Sequence, residues 1–460
     1  MSRVFLISSN MTVDPYPVYP LGMAVVAGAL ASAEHEIRQY DCLVSGGDDN
    51  ALQAELRGFS PAVVSISLRN IDNVDSLSGE DGWYLAQVKQ LVATVREVSS
   101  APIVVGGPAL TIMPEAIAEY LQVDHAIIGE GERSLPELVQ KLTAGEVVSK
   151  IIDRNCPLNG DQFSSPLFEQ PLIDFYLKNS GMANLQTKRG CPYRCSYCSY
   201  PHLEGNRFRV RDPRLVVDEL ERLKQEHAVE RVFFTDSVFN DPQGDYLQLV
   251  EEMLRRDLGM QWSGFFRPQG FGRQELALMK RAGLYALELG TDAGADQTLT
   301  GIGKGMTFAD VFAVNQACLD ERLPAAHFVM FGGPDEDQTS LSEGLQNMAQ
   351  LGASVVFAFS GIRIYPDAPL HQRAIEDGLI SAETSLLKPT YYFSPQIDRQ
   401  AMEQAIEESF SGHRNRIFPP SEGTKRMEVM TNFGFRGLMW DRLIKFPKQK
   451  KTDQSGSANG

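Results

Sequence analysis

Long apolar runs are missing from this 460-residue chain. No eighteen consecutive apolar residues occur, so no segment reads as a membrane-spanning helix. The opening Met-Ser-Arg-Val-Phe-Leu-Ile-Ser-Ser reads as a strand. It lacks the apolar core and cleavage site of a secretory leader, so a cytoplasmic location is expected. Positive charge is also short. The 43 Lys and Arg face 59 Asp and Glu, a formal net charge of −16. Nucleic-acid binding needs cations to neutralise phosphates, so no nucleic-acid partner is expected. The one basic run, Arg207-Phe-Arg-Val-Arg211, suits a loop lining or a small anion. Cysteine is scarce, with six in all, three of them clustered. That usage fits a reducing compartment and metal binding better than disulfides. Cys42, Cys156 and Cys318 stand apart and read as small core hydrophobes.

The clustered three are Cys191, Cys195 and Cys198, within Arg189-Gly-Cys-Pro-Tyr-Arg-Cys-Ser-Tyr-Cys198. A structural zinc site wants four closed ligands. Three thiolates suit an iron–sulfur cluster that keeps one iron open. His202 lies four residues beyond Cys198 and could complete a zinc site, so spacing alone leaves both chemistries standing.

At this length two or three domains are expected, and 43% hydrophobic residues suffice for their cores. Over 1–145, apolar strands at 4–8, 37–40, 63–68, 103–105 and 126–128 alternate with helical patterns. In one of these, Tyr84, Leu85, Val88, Leu91, Val92 and Val95 recur at threes and fours. This predicts an α/β, doubly wound, Rossmann-like parallel sheet. Ligands of such sheets bind beyond the carboxyl ends of the strands, here the loops 10–19, 69–82, 106–111 and 129–133. Two of these are glycine-rich: Gly106-Gly107-Pro108 and Gly129-Glu130-Gly131-Glu132. Neither follows the first strand with dinucleotide spacing, which argues against a nicotinamide site.

Residues 146–182 have no sustained period and hold Pro157, Pro166 and Pro171, so they read as a linker. Over 183–385 strand–helix alternation resumes, with strands at 185–190, 231–235, 261–266, 285–289, 326–330 and 355–364. Asp212-Pro213 and Asp241-Pro242 open helices. Six units predict a partial (β/α)6 barrel, with chemistry at the carboxyl ends of its strands. Those ends give the cysteines, then Thr235-Asp236-Ser237, Gly290-Thr291-Asp292-Ala293-Gly294, Gly332-Gly333-Pro334-Asp335-Glu336 and Arg363-Ile364-Tyr365-Pro366. Asp236 and Asp292 could equally cap helices, and Arg363 could be a solvated ion-pair partner. Gly301-Ile-Gly-Lys-Gly305 lacks the Ser or Thr of a phosphate loop and reads as a flexible loop before a helix at Thr307. His327 reads as a packed core histidine. From 386 to 447, Tyr391, Tyr392, Phe393, Phe410, Phe418, Phe433, Phe435 and Trp440 suggest a helical cap over the barrel mouth. The tail 448–460 is polar and reads as disordered.

The cysteine motif, with Tyr197 before its last cysteine, resembles the radical S-adenosylmethionine (SAM) enzymes. The resemblance implies that Cys191, Cys195 and Cys198 hold a [4Fe-4S] cluster whose fourth iron chelates the amino and carboxylate groups of SAM. It implies SAM contacts from Tyr197, Asp236, Ser237, Thr291, Asp292, Gly332, Gly333 and Arg363. The first domain is similar to the cobalamin-binding domain that precedes the barrel in one large branch of that family, of the class B methylase type. The matching stretches are Tyr19-Pro-Leu-Gly22, Ser65–Asp72, Val104–Pro108 and Ile128–Glu132. They imply cobalamin contacts from Tyr19, Ser67, Arg69, Asn70, Gly106, Gly107, Gly129, Glu130 and Gly131. Relatives of the methionine-synthase type carry Asp-x-His-x-x-Gly, whose histidine ligates cobalt. Here Pro17 and Tyr19 stand in those places, and the following Ser-x-Leu motif matches only at Ser67.

The resemblance further implies reductive cleavage of SAM to a 5′-deoxyadenosyl radical. Methyl transfer through methylcobalamin to an unactivated carbon of a natural-product or lipid-like small molecule would follow. Cyclisation, rearrangement or oxygenation is the alternative outcome. The competing classes are a silent cobalamin or iron–sulfur sensor, and a radical SAM enzyme that has lost cobalamin. An electron donor such as flavodoxin or ferredoxin is implied, with a monomer or weak homodimer.

Overall fold

The computed structural model describes residues 1–153 and 157–447. Cys156 and the tail 448–460 lie outside them. The first sheet holds β1 (Arg3–Ser8), β2 (Glu36–Asp41), β3 (Val63–Ser67), β4 (Ile103–Gly106), β5 (His125–Ile128) and β6 (Ile151–Asp153). All pairs are parallel, in the order β2-β1-β3-β4-β5-β6. Helices cover both faces, so the inner strands are apolar on both sides. On β1, Val4 and Leu6 join one core while Phe5 and Ile7 join the other.

Two elements come from the stretch expected to be a linker. β6 adds a sixth strand at the sheet edge, and Gln170–Asn179 is a helix burying Leu172, Ile173 and Tyr176. A three-residue strand is too short to show a period. Pro171 reads as a breaker, yet at the first turn of a helix its missing N–H costs nothing.

The second sheet contains β7 (Ala183–Leu185), which leads through β8 (Lys188–Arg189) to the cysteine loop. β8 pairs with β9 (Arg209–Val210). β10 (Arg231–Phe234), β11 (Gln261–Phe266), β12 (Leu287–Asp292), β13 (Ala325–Phe331) and β14 (Val355–Ser360) follow. Beyond them lie β15 (Ile362–Arg363), β16 (Tyr391–Tyr392) and β17 (Arg416–Ile417). The sheet order is β17-β14-β13-β12-β11-β10-β7, all parallel, so seven strands form it rather than six. The seventh, β17, comes from the carboxyl-terminal region. The strand expected over 355–364 breaks at Gly361, whose φ of +75° turns the chain and whose hydrogen leaves room for the Phe393 ring. Asp241-Pro242 precedes a turn instead of opening a helix. The helix begins at Asp245, and the Asp241 carboxylate accepts from the Asp245 and Tyr246 N–H groups.

The aromatics of the carboxyl-terminal region divide between the two ends of the barrel. Phe393 packs at Gly332 and Gly361, at the carboxyl ends of β13 and β14. Trp440 packs with Met182, Ala326, Val355 and Phe357, at or near the strand starts, and so closes the opposite end from the mouth. Phe433 stays 78% exposed.

Polar ties lock the carboxyl edges of the two sheets together. Arg363 Nε donates to Asp72 Oδ2 at 2.8 Å, with both side chains buried. Arg189 bridges Glu130 at 3.0 Å and Glu132 at 2.6 Å. Tyr16, from the first loop, reaches into the barrel and donates to Glu288 at 3.2 Å.

Candidate active site

Gly190 turns the chain out of β8 into the cysteine loop with φ +88°. A Cβ there would meet the Arg207 carbonyl oxygen at 2.0 Å, so only glycine fits. The loop has no regular structure and is clasped from outside. The Cys191 N–H donates to the Gly205 carbonyl at 3.0 Å and the Ser196 N–H to the Ile302 carbonyl at 2.8 Å. The Leu370 N–H donates to the Ser196 carbonyl at 2.8 Å, and Ser237 Oγ to the Gly190 carbonyl at 2.9 Å.

Cys191 and Cys195 are buried, Cys198 is half-buried, and none is in a disulfide. Burial pushes all three thiols up, Cys198 to about 12. The charge of Lys304 opposes this at Cys195. Thiols crowded in this way ionise more readily beside a cation or with a metal group among them. Among the described residues, no three His, Cys, Asp or Glu side chains converge on a point fit for a single ion. A multi-iron cluster does not require that, because its thiolates bind separate irons. His202 Nε2 points at the Thr111 carbonyl at 3.0 Å and lies 3.5 Å from Asp367, turned to the first domain instead of completing a zinc site.

A buried network backs the loop. The Tyr197 hydroxyl and Lys304 Nζ both donate to Asp292 Oδ2. Asp292 holds φ +65°, a strained value for a non-glycine residue, at a bulge of β12. Burial would push the Lys304 ammonium down, but the charge of Asp292 prevails and keeps it raised. The Gly301–Gly305 segment is therefore no free loop. It packs on the cysteine loop, and a Cβ at Gly303 would meet the Arg194 carbonyl at 3.0 Å. Arg267, at the end of β11, donates to the Lys304 carbonyl and lies over the Tyr193 ring at 4.2 Å. Sequence reasoning missed Lys304 and Arg267. The available signal was a lysine inside a glycine run just past a strand-end aspartate.

Several expected site residues are spent elsewhere. The Asp236 carboxylate, fully buried, accepts from the Thr187 and Lys188 N–H groups and the Thr187 hydroxyl, so it caps no helix and fixes the entry to the cysteine loop. Thr291 faces the outer helices, with its hydroxyl 2.8 Å from His327 Nδ1. That histidine is a core residue held near pKa 3 by burial. The Gly332 and Gly333 N–H groups both donate to Glu336. Arg363 is a buried inter-domain anchor, not a solvated one. The basic run lines a loop, with Arg209 on Glu130 and Arg211 on Glu219.

The first domain divides likewise. Tyr19 is 2% exposed between Phe168 and Tyr176, each ring 5.3 Å away, and lies in the core instead of at a ligand. At Gly107, with φ +105°, a Cβ would strike the Leu68 carbonyl at 2.5 Å, so this glycine admits a neighbouring strand end. Gly131 allows close approach of Val26. In Glu130 burial is the largest influence and pushes the carboxyl up. The Arg209 hydrogen bond and the Arg189 charge together outweigh it and hold the group low. Gly106 ends β4, where a Cβ would make only ordinary contacts. Ser67 ends β3, its carbonyl accepting from Ser9 Oγ at 2.9 Å. Gly129, with φ +75°, faces open space. Arg69 and Asn70 line a small pocket with Ser9, Asn10, Met11 and Tyr84 at the carboxyl edge of the first sheet. An open glycine turn, polar rims and no imidazole at Tyr19 fit a large corrinoid held without a histidine from that motif.

Known proteins match both halves. The B12 binding domain family matches residues 8–139, and the Radical SAM superfamily matches residues 185–343. An uncharacterized methyltransferase of Pyrococcus horikoshii is 24% identical over 378 residues, 78% of this chain and 79% of that protein. Tryptophan 2-C-methyltransferase of Streptomyces laurentii is 25% identical over 443 residues, 79% of this chain and 73% of that protein. The structure of the radical SAM methyltransferase TsrM of Kitasatospora setae, with cobalamin and a [4Fe-4S] cluster bound, superposes with a TM-score of 0.82. It covers 96% of this chain and 97% of that one at 21% identity. The chain belongs to the cobalamin-dependent radical SAM enzymes, with a B12 binding domain ahead of a radical SAM barrel.

Proposed function

We propose that this enzyme transfers a methyl group from SAM, by way of cobalamin, to an unactivated carbon of a small molecule. The observation that carries the reading is the cysteine loop at the carboxyl edge of the barrel, tied through Arg189 to the glycine turn of the B12 binding domain. Cys191, Cys195 and Cys198 would hold the cluster. Asp292, Lys304 and Arg267 would border SAM, and Arg69, Asn70 and Gly129 would border cobalamin. When bound, the cluster supplies the electron that cleaves SAM, and cobalamin carries the methyl group. The chain's own part is placement. Lys304 and Tyr197 fix Asp292, and Asp236 fixes the strand that enters the cysteine loop. The domain ties would keep the two cofactor edges opposed.

The test is anaerobic purification from cobalamin-fed cells, with metal analysis and an ultraviolet–visible spectrum. About four irons and about one cobalt per chain are expected, with labelled methyl passing from SAM into product. Cys195→Ala should lose SAM cleavage and keep cobalamin. Zinc in place of iron, or cleavage surviving in that variant, refutes the reading.

A further inference from the structure

The lumen of the barrel carries a pattern that the cofactors leave unused. On β12, Leu287 and Leu289 pack against the outer helices, so Glu288 and Gly290 point inward. On β11, Trp262 and Phe266 face outward and Phe265 faces inward, with its ring 4.9 Å from Phe233. Phe265 pairs in register with Glu288, and Gly290 with Phe328.

The register sets a slot over β12, between Phe265 and Phe328 on the two neighbouring strands. Phe265 forms one wall and stays 37% exposed in the middle of a barrel. Phe328 forms the other wall, braced by a parallel stack on Phe357 at 5.1 Å and 6°. Gly290 is the back. A Cβ there would meet nothing closer than Asp292 and Lys304 at 3.6 Å, so the slot opens upward onto the edge of the proposed SAM site. The floor is Glu288, 3% exposed, whose partner is the Tyr16 hydroxyl at 3.2 Å. Trp440 Nε1 is buried against the same carboxyl from below as a second, poorly aligned donor. With one long hydrogen bond from Tyr16 and a poorly aligned second donor in Trp440, the carboxyl retains acceptor capacity, and burying that capacity unused is costly. Burial keeps this carboxyl near pKa 8, so it is mostly uncharged at neutral pH and suits an uncharged partner.

We propose that this slot binds the substrate. The substrate class is a flat aromatic ring system bearing an N–H or O–H donor, with the ring between Phe265 and Phe328 over Gly290 and the donor directed to Glu288. Two aromatic walls favour a planar guest, and a single polar group in an apolar pocket fixes its orientation. Tyr16 ties the slot to the first domain, because its loop borders the proposed cobalamin space. The inference rests on the methyl-transfer reading for its purpose, but its test does not depend on turnover.

Enzyme loaded with cluster, cobalamin and SAM is titrated calorimetrically with indole and with benzothiophene. These bicyclic rings match in shape, and only indole carries N–H. Indole should bind about tenfold more tightly. Glu288→Leu should abolish the preference while both rings still bind. Glu288→Gln keeps an acceptor oxygen and should restore most of it, which separates recognition from misfolding. Gly290→Val should weaken both rings. Equal affinity in the wild type, binding of neither ring, or a preference that survives in Glu288→Leu overturns the proposal. If SAM neither binds nor is cleaved, the functional reading fails instead, whatever the rings do.

Discussion

Lys304→Met tests the network behind the cysteine loop most directly. The ammonium and the Asp292 carboxylate are 8% and 11% exposed, and the Tyr197 hydroxyl shares the same oxygen. Removing one partner of a buried pair strands the other charge, at a cost of about 3–5 kcal/mol. Removing both, in Lys304→Met/Asp292→Asn, deletes the stranded charge and should recover at least about 2 kcal/mol of that loss. The chemistry should follow the stability. Lys304 is the chief charge opposing the burial of Cys195, so without it the thiols ionise less easily and iron loads more slowly. The assay is anaerobic urea unfolding by circular dichroism for the wild type, both single variants and the double variant, with iron measured after reconstitution. A single-variant cost below about 1 kcal/mol, or a double variant as unstable as Lys304→Met, would refute the argument.

Arg189→Leu leaves Glu130 and Glu132 without their shared partner. It should speed proteolytic cleavage between the domains and lower cobalamin retention, both measurable after gel filtration. Gly107→Ala places a Cβ 2.5 Å from the Leu68 carbonyl at a left-handed backbone position. A loss of about 2 kcal/mol or more is expected in thermal unfolding, and full stability would mean that the β3 and β4 edges do not meet as described. Burial raises Glu288 from 4.5 to about 8, so the native state keeps a proton the unfolded chain has lost. Its contribution is whole below pH 4.5 and fades as pH rises to 8, by at most about 1.4 kcal/mol per unit. Glu336, raised to about 7, acts in the same direction. The difference between wild type and Glu288→Gln in urea midpoints from pH 5 to 8.5 isolates the first group. Parallel pH profiles would show that Glu288 is not buried as described.

The sequence announced whatever repeats over a full element. The first five strands of the first sheet lie within one or two residues of their apolar runs, and Gln261–Phe266 falls where its run does. The cysteine spacing pointed to the loop because three identical ligands in eight residues have few other uses. What escaped notice was either too short for a period or decided by distant partners. β6 and β17 have three and two residues and exist only because a sheet edge receives them. Lys304 reads as a loop residue until Asp292, twelve positions earlier, folds against it. Tyr16 and Glu288 are 272 positions apart, and neither suggests the other.

The residues that looked most like cofactor ligands explain how the site is assembled. Glu130 and Arg363 both sit in motif positions at strand ends, and both are committed to salt bridges across the domain boundary. A strand-end motif thus has two tasks, facing the ligand and holding the opposite edge at a fixed distance. Backbone turns such as Gly129, which leave space open, suit the first task. Charged side chains beside them suit the second, because a buried ion pair with fixed geometry tolerates little displacement. Two cofactors that must exchange a group across a domain interface need that rigidity more than additional ligands. Glu130 and Arg363 are therefore best tested by domain separation and cofactor retention rather than by loss of a contact to SAM or cobalamin.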